Sequence, residues 1–292
     1  MKILLIGKNG QVGRELQRTL LPFGEVVALG RDSLDLGDIA ALRQVLAMQA
    51  ADVIVNASAY TAVDRAESDE EAAMTVNASS VGAMAEYARA HGALLVHYST
   101  DYVFDGAKAG PYVESDVTAP QSAYGRSKLA GEEAILASAC KALVFRTSWV
   151  FSAHGGNFIK TMLRLAGERD SLSVVADQFG APTSAELIAD VTALAIAAYR
   201  RGALADGIYH LTAAGSTSWH GLASYAIDRA RARGASIKVA PSQISPIPTE
   251  AYPVPAKRPK NSRLDTSKLS SALDLQLPDW KLHVDRLIDQ LY

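Results

Sequence analysis

The stretch "KILLIGKNGQVG", Lys2–Gly13, decides the fold. Lys2–Gly7 is an almost unbroken apolar run, the pattern of a strand covered on both sheet faces. Gly7, Gly10 and Gly13 follow at intervals of three, and a helical pattern runs from about Gln11 to Leu21. Strand, glycine turn and helix in that order make a βα unit whose backbone N–H groups can close on a pyrophosphate at the helix N-terminus. The spacing is not the G-x-G-x-x-G of many dehydrogenases, and glycine turns also serve merely to tighten strand–helix joints. The place of this one, in the first βα unit, favours a dinucleotide.

Outward from it, the rhythm repeats. "EVVALG" (Glu25–Gly30), "DVIVNASA" (Asp52–Ala59), "ALLVHYST" (Ala93–Thr100) and "ALVFRTSW" (Ala142–Trp149) read as further strands, with helical stretches near 39–49, 70–90 and 123–137 between them. The alternation predicts an α/β fold, a Rossmann-type doubly wound parallel sheet with right-handed crossovers. After Trp149 the rhythm loosens. Residues 157–169 and 184–202 read as amphipathic helices, Gly207–Gly215 as a strand, and "PDWKLHVDRLIDQLY" as a last amphipathic helix. The proline-rich run 240–262 cannot be a long helix or a central strand; its recurring apolar residues point to an ordered loop over a cleft. The expected division is an NAD(P)-binding domain over 1–150 and a smaller α/β, mainly substrate-binding domain over 151–292. The two are expected to interleave, with 184–215 a candidate to return to the large sheet.

Composition narrows the classes. Of 292 residues, 49% are hydrophobic and 21% charged, and the net charge is −2. No general attraction to nucleic acid or to an anionic membrane follows. The one cysteine, Cys140, permits no intrachain disulfide and is expected to pack in the interior. The six histidines are scattered, so no transition-metal site is expected. The opening residues lack the features of a signal peptide, and no segment reaches the ~20 apolar residues that span a bilayer. A cytoplasmic protein is the expectation.

The second strand ends at Gly30-Arg31-Asp32. An acidic residue there would take the ribose hydroxyls of NAD, whereas an arginine accommodates the extra phosphate of NADP. Arg31 therefore favours NADPH, and Asp32 beside it keeps NADH open. Asp35 could contact adenine or cap the next helix, for which Asp38 is the better candidate. Ser99 and Thr100 fall at the carboxyl end of a strand, where open α/β sheets bind ligands. Some two dozen residues on, "YGRSK" places Tyr124 and Lys128 four apart, on one face of what reads as a surface helix. A phenol has a reference pKa of about 10. A nearby ammonium is expected to favour the phenolate and lower that value toward the working pH. Lys128 could also hold the nicotinamide ribose, and Thr100 could hydrogen-bond a substrate carbonyl as charge develops on it.

"GKNGQVG", "NASAYTAVDRAES", "HYSTDYVFDG", "YGRSKLAGE", "RTSWVF", "DQFGAPT" and "RPKNSRLDTSKL" together resemble the dTDP-4-dehydrorhamnose reductases, a branch of the extended short-chain dehydrogenase/reductase superfamily. The resemblance runs from Met1 to the last helix. It implies reduction of the 4-keto group of a dTDP-6-deoxyhexulose to dTDP-L-rhamnose by NADPH or NADH. It also implies Tyr124 as proton donor, Lys128 as its partner and Thr100 as the carbonyl's hydrogen-bonding group. Gly10, Gln11 and Val12 match the family's pyrophosphate loop, Asp35 and Leu36 its adenine-side contact, and Ala59, Tyr60 and Thr61 the loop beside the cofactor. Thr100, Asp101 and Trp149 match positions that contact the dTDP-sugar; Arg258 is a candidate for the diphosphate or for anchoring a loop. Some members are described as magnesium-dependent homodimers built on glutamates. Glu15 and Glu186 fit two such positions, but the third is Gln290, which leaves Mg2+ and the dimer open.

Two rivals stand beside this reading. One is another nucleotide-sugar enzyme of the superfamily, an epimerase, 4,6-dehydratase or fucose-type synthase, to which Asp101 could supply acid catalysis. The other is the regulatory subunit of methionine adenosyltransferase, which has a related body without sugar turnover. Thr100, Tyr124 and Lys128 together argue against that second rival.

Overall fold

Six parallel strands form the principal sheet: β1 (Lys2–Ile6), β2 (Glu25–Leu29), β3 (Val53–Asn56), β4 (Leu94–Thr100), β5 (Ala142–Thr147) and β6 (Gly207–His210). Their order is β6-β5-β4-β3-β1-β2 in a computed structural model that describes Met1–Tyr292. The chain steps outward from β1 to β2, then crosses back to β3 on the other side of β1. Connections leaving β1 and β3 therefore diverge at their carboxyl ends and open a crevice there.

The main helices are α1 (Gln11–Thr19), α2 (Ile39–Gln49), α3 (Ser80–His91), α4 (Ala123–Ser138), α5 (Phe158–Glu168), α6 (Ala185–Arg200), α7 (Trp219–Ala232) and α8 (Trp280–Leu291). Successive side chains of a strand point to opposite faces. Ile3, Leu5, Val55, Val96 and Phe145 accordingly enter one apolar cluster with residues of α1 and α6. Leu4, Ile6, Ile54, Leu95 and Val144 enter another with residues of α2, α3 and α4. Each fully buried aliphatic side chain contributes about 1.5–3 kcal/mol, so this double cover explains why the strands read as unbroken apolar runs.

β6 pairs in parallel with β5, Gly207 opposite Leu143, and α6 packs on α1. The segment that follows Ser184 is thus built into the layers of the large sheet. Around it, α5, α7 and α8 form a second lobe with a small parallel pair, Leu172–Val175 against Ile244–Ile247. Leu163, Leu172, Leu222 and Ile244 belong to the same cluster as the first sheet face, so the lobes share one core. The proline-rich run is ordered: after Ile244–Ile247 it makes a short turn of helix at Thr249–Ala251, and Asn261–Ser262 pairs with Phe179–Gly180. The helical stretch expected over 70–90 carries a π-helical turn at Thr75–Ser79. Cys140 is buried, and no helix is long and apolar enough to cross a membrane.

Candidate active site

The glycine loop shapes one wall of the crevice. Gly7 has φ +96°, and a β-carbon there would lie 2.7 Å from the Ser58 hydroxyl. Gly10 is the N-cap of α1 and offers no side-chain oxygen to its first turn. The opening N–H groups of the helix are left without side-chain caps beside the crevice, a ready anion cradle. Gly13 differs from the expectation of a cleft residue. A β-carbon there would overlap the Gly7 carbonyl, so its smallness brings α1 against the loop.

Gly7, Gly10, Gln11 and Val12 line a cavity of about 550 Å³. Arg31, Asp35 and Leu36 line it from the loop after β2, and Ala59 and Thr61 from the loop after β3. Tyr124 and Lys128 stand on its far wall. Asp38 caps α2 by accepting from the Ala41 N–H at 2.9 Å, and Asp35 accepts from Gly37. Tyr60 lines the adjoining recess with Arg31, Asp35, Ala59 and Thr61, and its phenol donates to Asp69. Its backbone is held by Asn77 at both N–H and C=O. Asn77 lies in the π-helical turn and also donates to Ser127 of α4. It thereby ties the loop after β3 to the helix that carries Tyr124. No local pattern in the sequence marks that role.

The helix holding Tyr124 and Lys128 is not a surface helix on this face. Ser122 caps it, accepting from Gly125, and Gly125 approaches the Tyr102 carbonyl too closely for any β-carbon. Lys128 is left 1% exposed. Burial lowers its pKa to about 8, with the Glu132 carboxylate working against that. Its Nζ donates to the Tyr98 carbonyl at 2.7 Å and lies 3.1 Å from His97 Nε2. The expected lowering of the phenol is not found. Burial, and then the Asp101 charge, push the Tyr124 pKa up, with Thr100 partly offsetting them. The reason is geometric, since Lys128 Nζ is directed at β4. A raised phenol stays protonated at neutral pH, the state a proton donor needs.

Thr100 ends β4, donates to Asp101 Oδ1 at 3.0 Å and accepts from the Tyr102 N–H. It lies with Asp101, Tyr124 and Trp149 on a second chamber of about 400 Å³, continuous with the first through Gln11, Thr61, Ser99, Tyr124, Thr147 and Val150. Trp149 has φ +50° and stacks on Trp219, ring centroids 3.6 Å apart. Arg258 reaches the same chamber from the proline-rich run, donating to Tyr102 and pairing with Asp64 at 2.6 Å. Trp219, Asn157 and Asp64 were not singled out in the sequence. Asn157 joins the lobes, capping α5 and donating to the Gln11 side chain.

Asp101 is buried, and its Oδ2 finds no hydrogen-bond partner in the protein. Burial raises its pKa to about 6, with Ser262 and Thr100 working the other way. The folded state then holds this proton more tightly than the unfolded chain. The associated stability is present below the unfolded value and is lost as pH rises through about 6. Asp101→Asn is therefore expected to stabilise the protein by up to about 3 kcal/mol at pH 7, and by almost nothing near pH 4. Thermal unfolding of both proteins at the two pH values checks this; an equal gain at both would refute it.

Glu15, Glu186, Gln290 and His283 line one small surface recess. Arg286 and Gln290 already donate to the two Glu186 oxygens. A guanidinium in that position does not fit a magnesium site, and no step of the chemistry is derived through one.

The side chains of the two chambers can move a proton and hold anions; a nicotinamide supplies the hydride they lack. The fold and crevice define an NAD(P)-dependent oxidoreductase of the extended short-chain dehydrogenase/reductase type. The family model for the RmlD substrate binding domain matches residues 1–292, and the chain belongs to that family. It is 52% identical to a dTDP-4-dehydrorhamnose reductase of Burkholderia thailandensis over 295 residues, covering 100% of this chain and 99% of the relative. The crystal structure of a dTDP-4-dehydrorhamnose reductase from Clostridium acetobutylicum superposes with a TM-score of 0.90 at 37% identity, covering 100% of this chain and 99% of that one. A Bacillus anthracis dTDP-4-dehydrorhamnose reductase in complex with NADP gives 0.88 at 34% identity, covering 99% of each chain.

Proposed function

We propose that the protein reduces the 4-keto group of dTDP-4-dehydrorhamnose to give dTDP-L-rhamnose with NADPH, the last step in making that sugar donor for cell-surface polysaccharide. The observation that carries the mechanism is the shared wall: Tyr124 and Ser99 belong to both chambers, with Thr100 beside them in the second. Gly10, Gln11 and Val12 hold the pyrophosphate at the N-terminus of α1, and Arg31 takes the phosphate that distinguishes NADPH. Asp35, Leu36, Ala59, Tyr60 and Thr61 flank the adenosine side, with Tyr60 acting through its loop. Bound NADPH supplies the hydride. The dTDP-sugar occupies the second chamber against Trp149 and Asp101. The Thr100 hydroxyl, turning its proton from Asp101 to the substrate, positions the keto oxygen and stabilises its developing charge. The Tyr124 phenol gives that oxygen its proton. Lys128 holds the ribose beside the phenol. Cytoplasmic residence belongs to the same proposal.

The test is NADPH oxidation with the keto sugar generated in place from dTDP-glucose by a dehydratase and an epimerase, with NADH run in parallel and the product identified by NMR. Oxidation yielding dTDP-rhamnose is expected, faster with NADPH. A folded protein that binds both cofactors and oxidises neither would overturn the proposal.

A further inference from the structure

Behind Lys128 lies a buried chain of polar groups that the mechanism above does not use. Asn56 ends β3 and His97 sits in β4, both fully buried. Asn56 Oδ1 accepts from the Ser58 N–H at 3.1 Å, Asn56 Nδ2 lies 3.2 Å from His97 Nδ1, and His97 Nε2 lies 3.1 Å from Lys128 Nζ. The Ser58 N–H can only donate, which fixes which end of the Asn56 amide is oxygen without reference to the histidine. Nδ2 then points at His97 and donates to it. His97 Nδ1 must be an acceptor, so the neutral ring carries its proton on Nε2, directed at Lys128.

We propose that Asn56 and His97 are positioning residues for the reaction: Asn56 holds His97 in the tautomer that donates from Nε2, and His97 thereby favours Lys128 as a neutral amine. In that state every partner is satisfied: Lys128 accepts from His97, donates to the Tyr98 carbonyl, and keeps a second N–H for the crevice. An ammonium would meet a donor at Nε2. Relieving that by moving the ring proton to Nδ1 would set donor against donor at Asn56, and turning the amide would do the same at Ser58. Burial works in the same direction, lowering both Lys128 and, to well below the usual range, His97. The other ionisable groups facing Lys128 are Tyr124 and Glu132 of its own helix and, beyond Glu132, Arg146 of β5, which is paired with that carboxylate. The consequence is a lysine that ionises close to neutral pH. Once the amine has taken up a proton from water in the crevice, it can pass that proton to the Tyr124 phenolate.

This inference rests on the placing of Lys128 beside the acid, yet its test needs no turnover, so the two fail separately. Long-range 1H–15N spectra of the free protein, with His97 assigned by substitution, read the tautomer directly. Protonated Nε2 and bare Nδ1 are expected above about pH 8, where Lys128 is the neutral amine. A proton on Nδ1, or an imidazolium, overturns the proposal. The second arm follows the pH midpoint of Lys128 by its labelled ε-carbon in Asn56→Leu. Losing the Asn56 donor frees His97 to turn Nε2 into an acceptor, so the midpoint is expected to rise by about one pH unit or more. A merely structural Asn56 predicts the reverse, because an added apolar side chain only deepens desolvation. An unchanged or lower midpoint refutes the inference; if the variant does not fold, the tautomer of the unaltered protein decides.

Discussion

Replacing Tyr124 by Phe is expected to cut kcat by at least about 10²–10⁴-fold, the ordinary worth of a positioned general acid. The variant should leave the Kd for NADPH nearly unchanged. Only the hydroxyl is lost: the ring can keep its edge contact with Tyr102, centroids 5.5 Å apart, and the cap and glycine contacts of α4 are untouched. The cofactor cradle lies across the crevice, on α1 and the loops after β2 and β3. Burial keeps the phenol protonated, so what the variant lacks is the proton itself rather than a negative charge. Steady-state NADPH oxidation together with cofactor fluorescence titration measures both quantities. Turnover at the unaltered rate would remove Tyr124 from the role of acid.

A second large effect is expected below the site. Glu132 of α4 and Arg146 of β5 are 1% and 3% exposed and joined by two-pronged contacts, Nη2 to Oε2 at 2.6 Å and Nε to Oε1 at 2.9 Å. Glu132→Ala leaves the guanidinium buried with only a marginal contact to the Glu114 carbonyl and the face of Phe104. Breaking one side of such a pair costs about 3–5 kcal/mol, a large part of a typical folding free energy. In a chain of this length that is a fall in Tm of about 10 °C. The double variant Glu132→Met/Arg146→Met carries no stranded charge and is expected to recover much of the loss. Calorimetry of the three proteins tests this. A double variant no more stable than Glu132→Ala would show that packing, not the stranded charge, sets the cost.

Much of the design is local and therefore legible in the chain. Apolar runs of strand length, glycines at a strand–helix joint and Tyr-x-x-x-Lys on a helical face are patterns within a few residues of one another. They are enough for the doubly wound sheet, the dinucleotide crevice and the pairing of Tyr124 with Thr100. The resemblance extended that to Trp149 and Asp101, which do share a chamber with Thr100 and Tyr124.

What depends on residues far apart in sequence was not legible. Whether Lys128 faces solvent or protein turns on how near Gly125 lets α4 approach the Tyr102 backbone. Its Nζ donates to β4 and not to the phenol one turn away, so the lowered Tyr124 pKa expected from the spacing gives way to the rise that burial imposes. Nor does the spacing show that the Tyr60 phenol turns to Asp69 or that Gly13 packs on Gly7. Asn77 bears no local mark, and Asn56 and His97 fall inside sequence motifs without any sign there of the contact that joins them. A hydrogen bond is short-ranged and directional, so its partners are chosen by the packing of strands and helices, after the periodic pattern has already done its work.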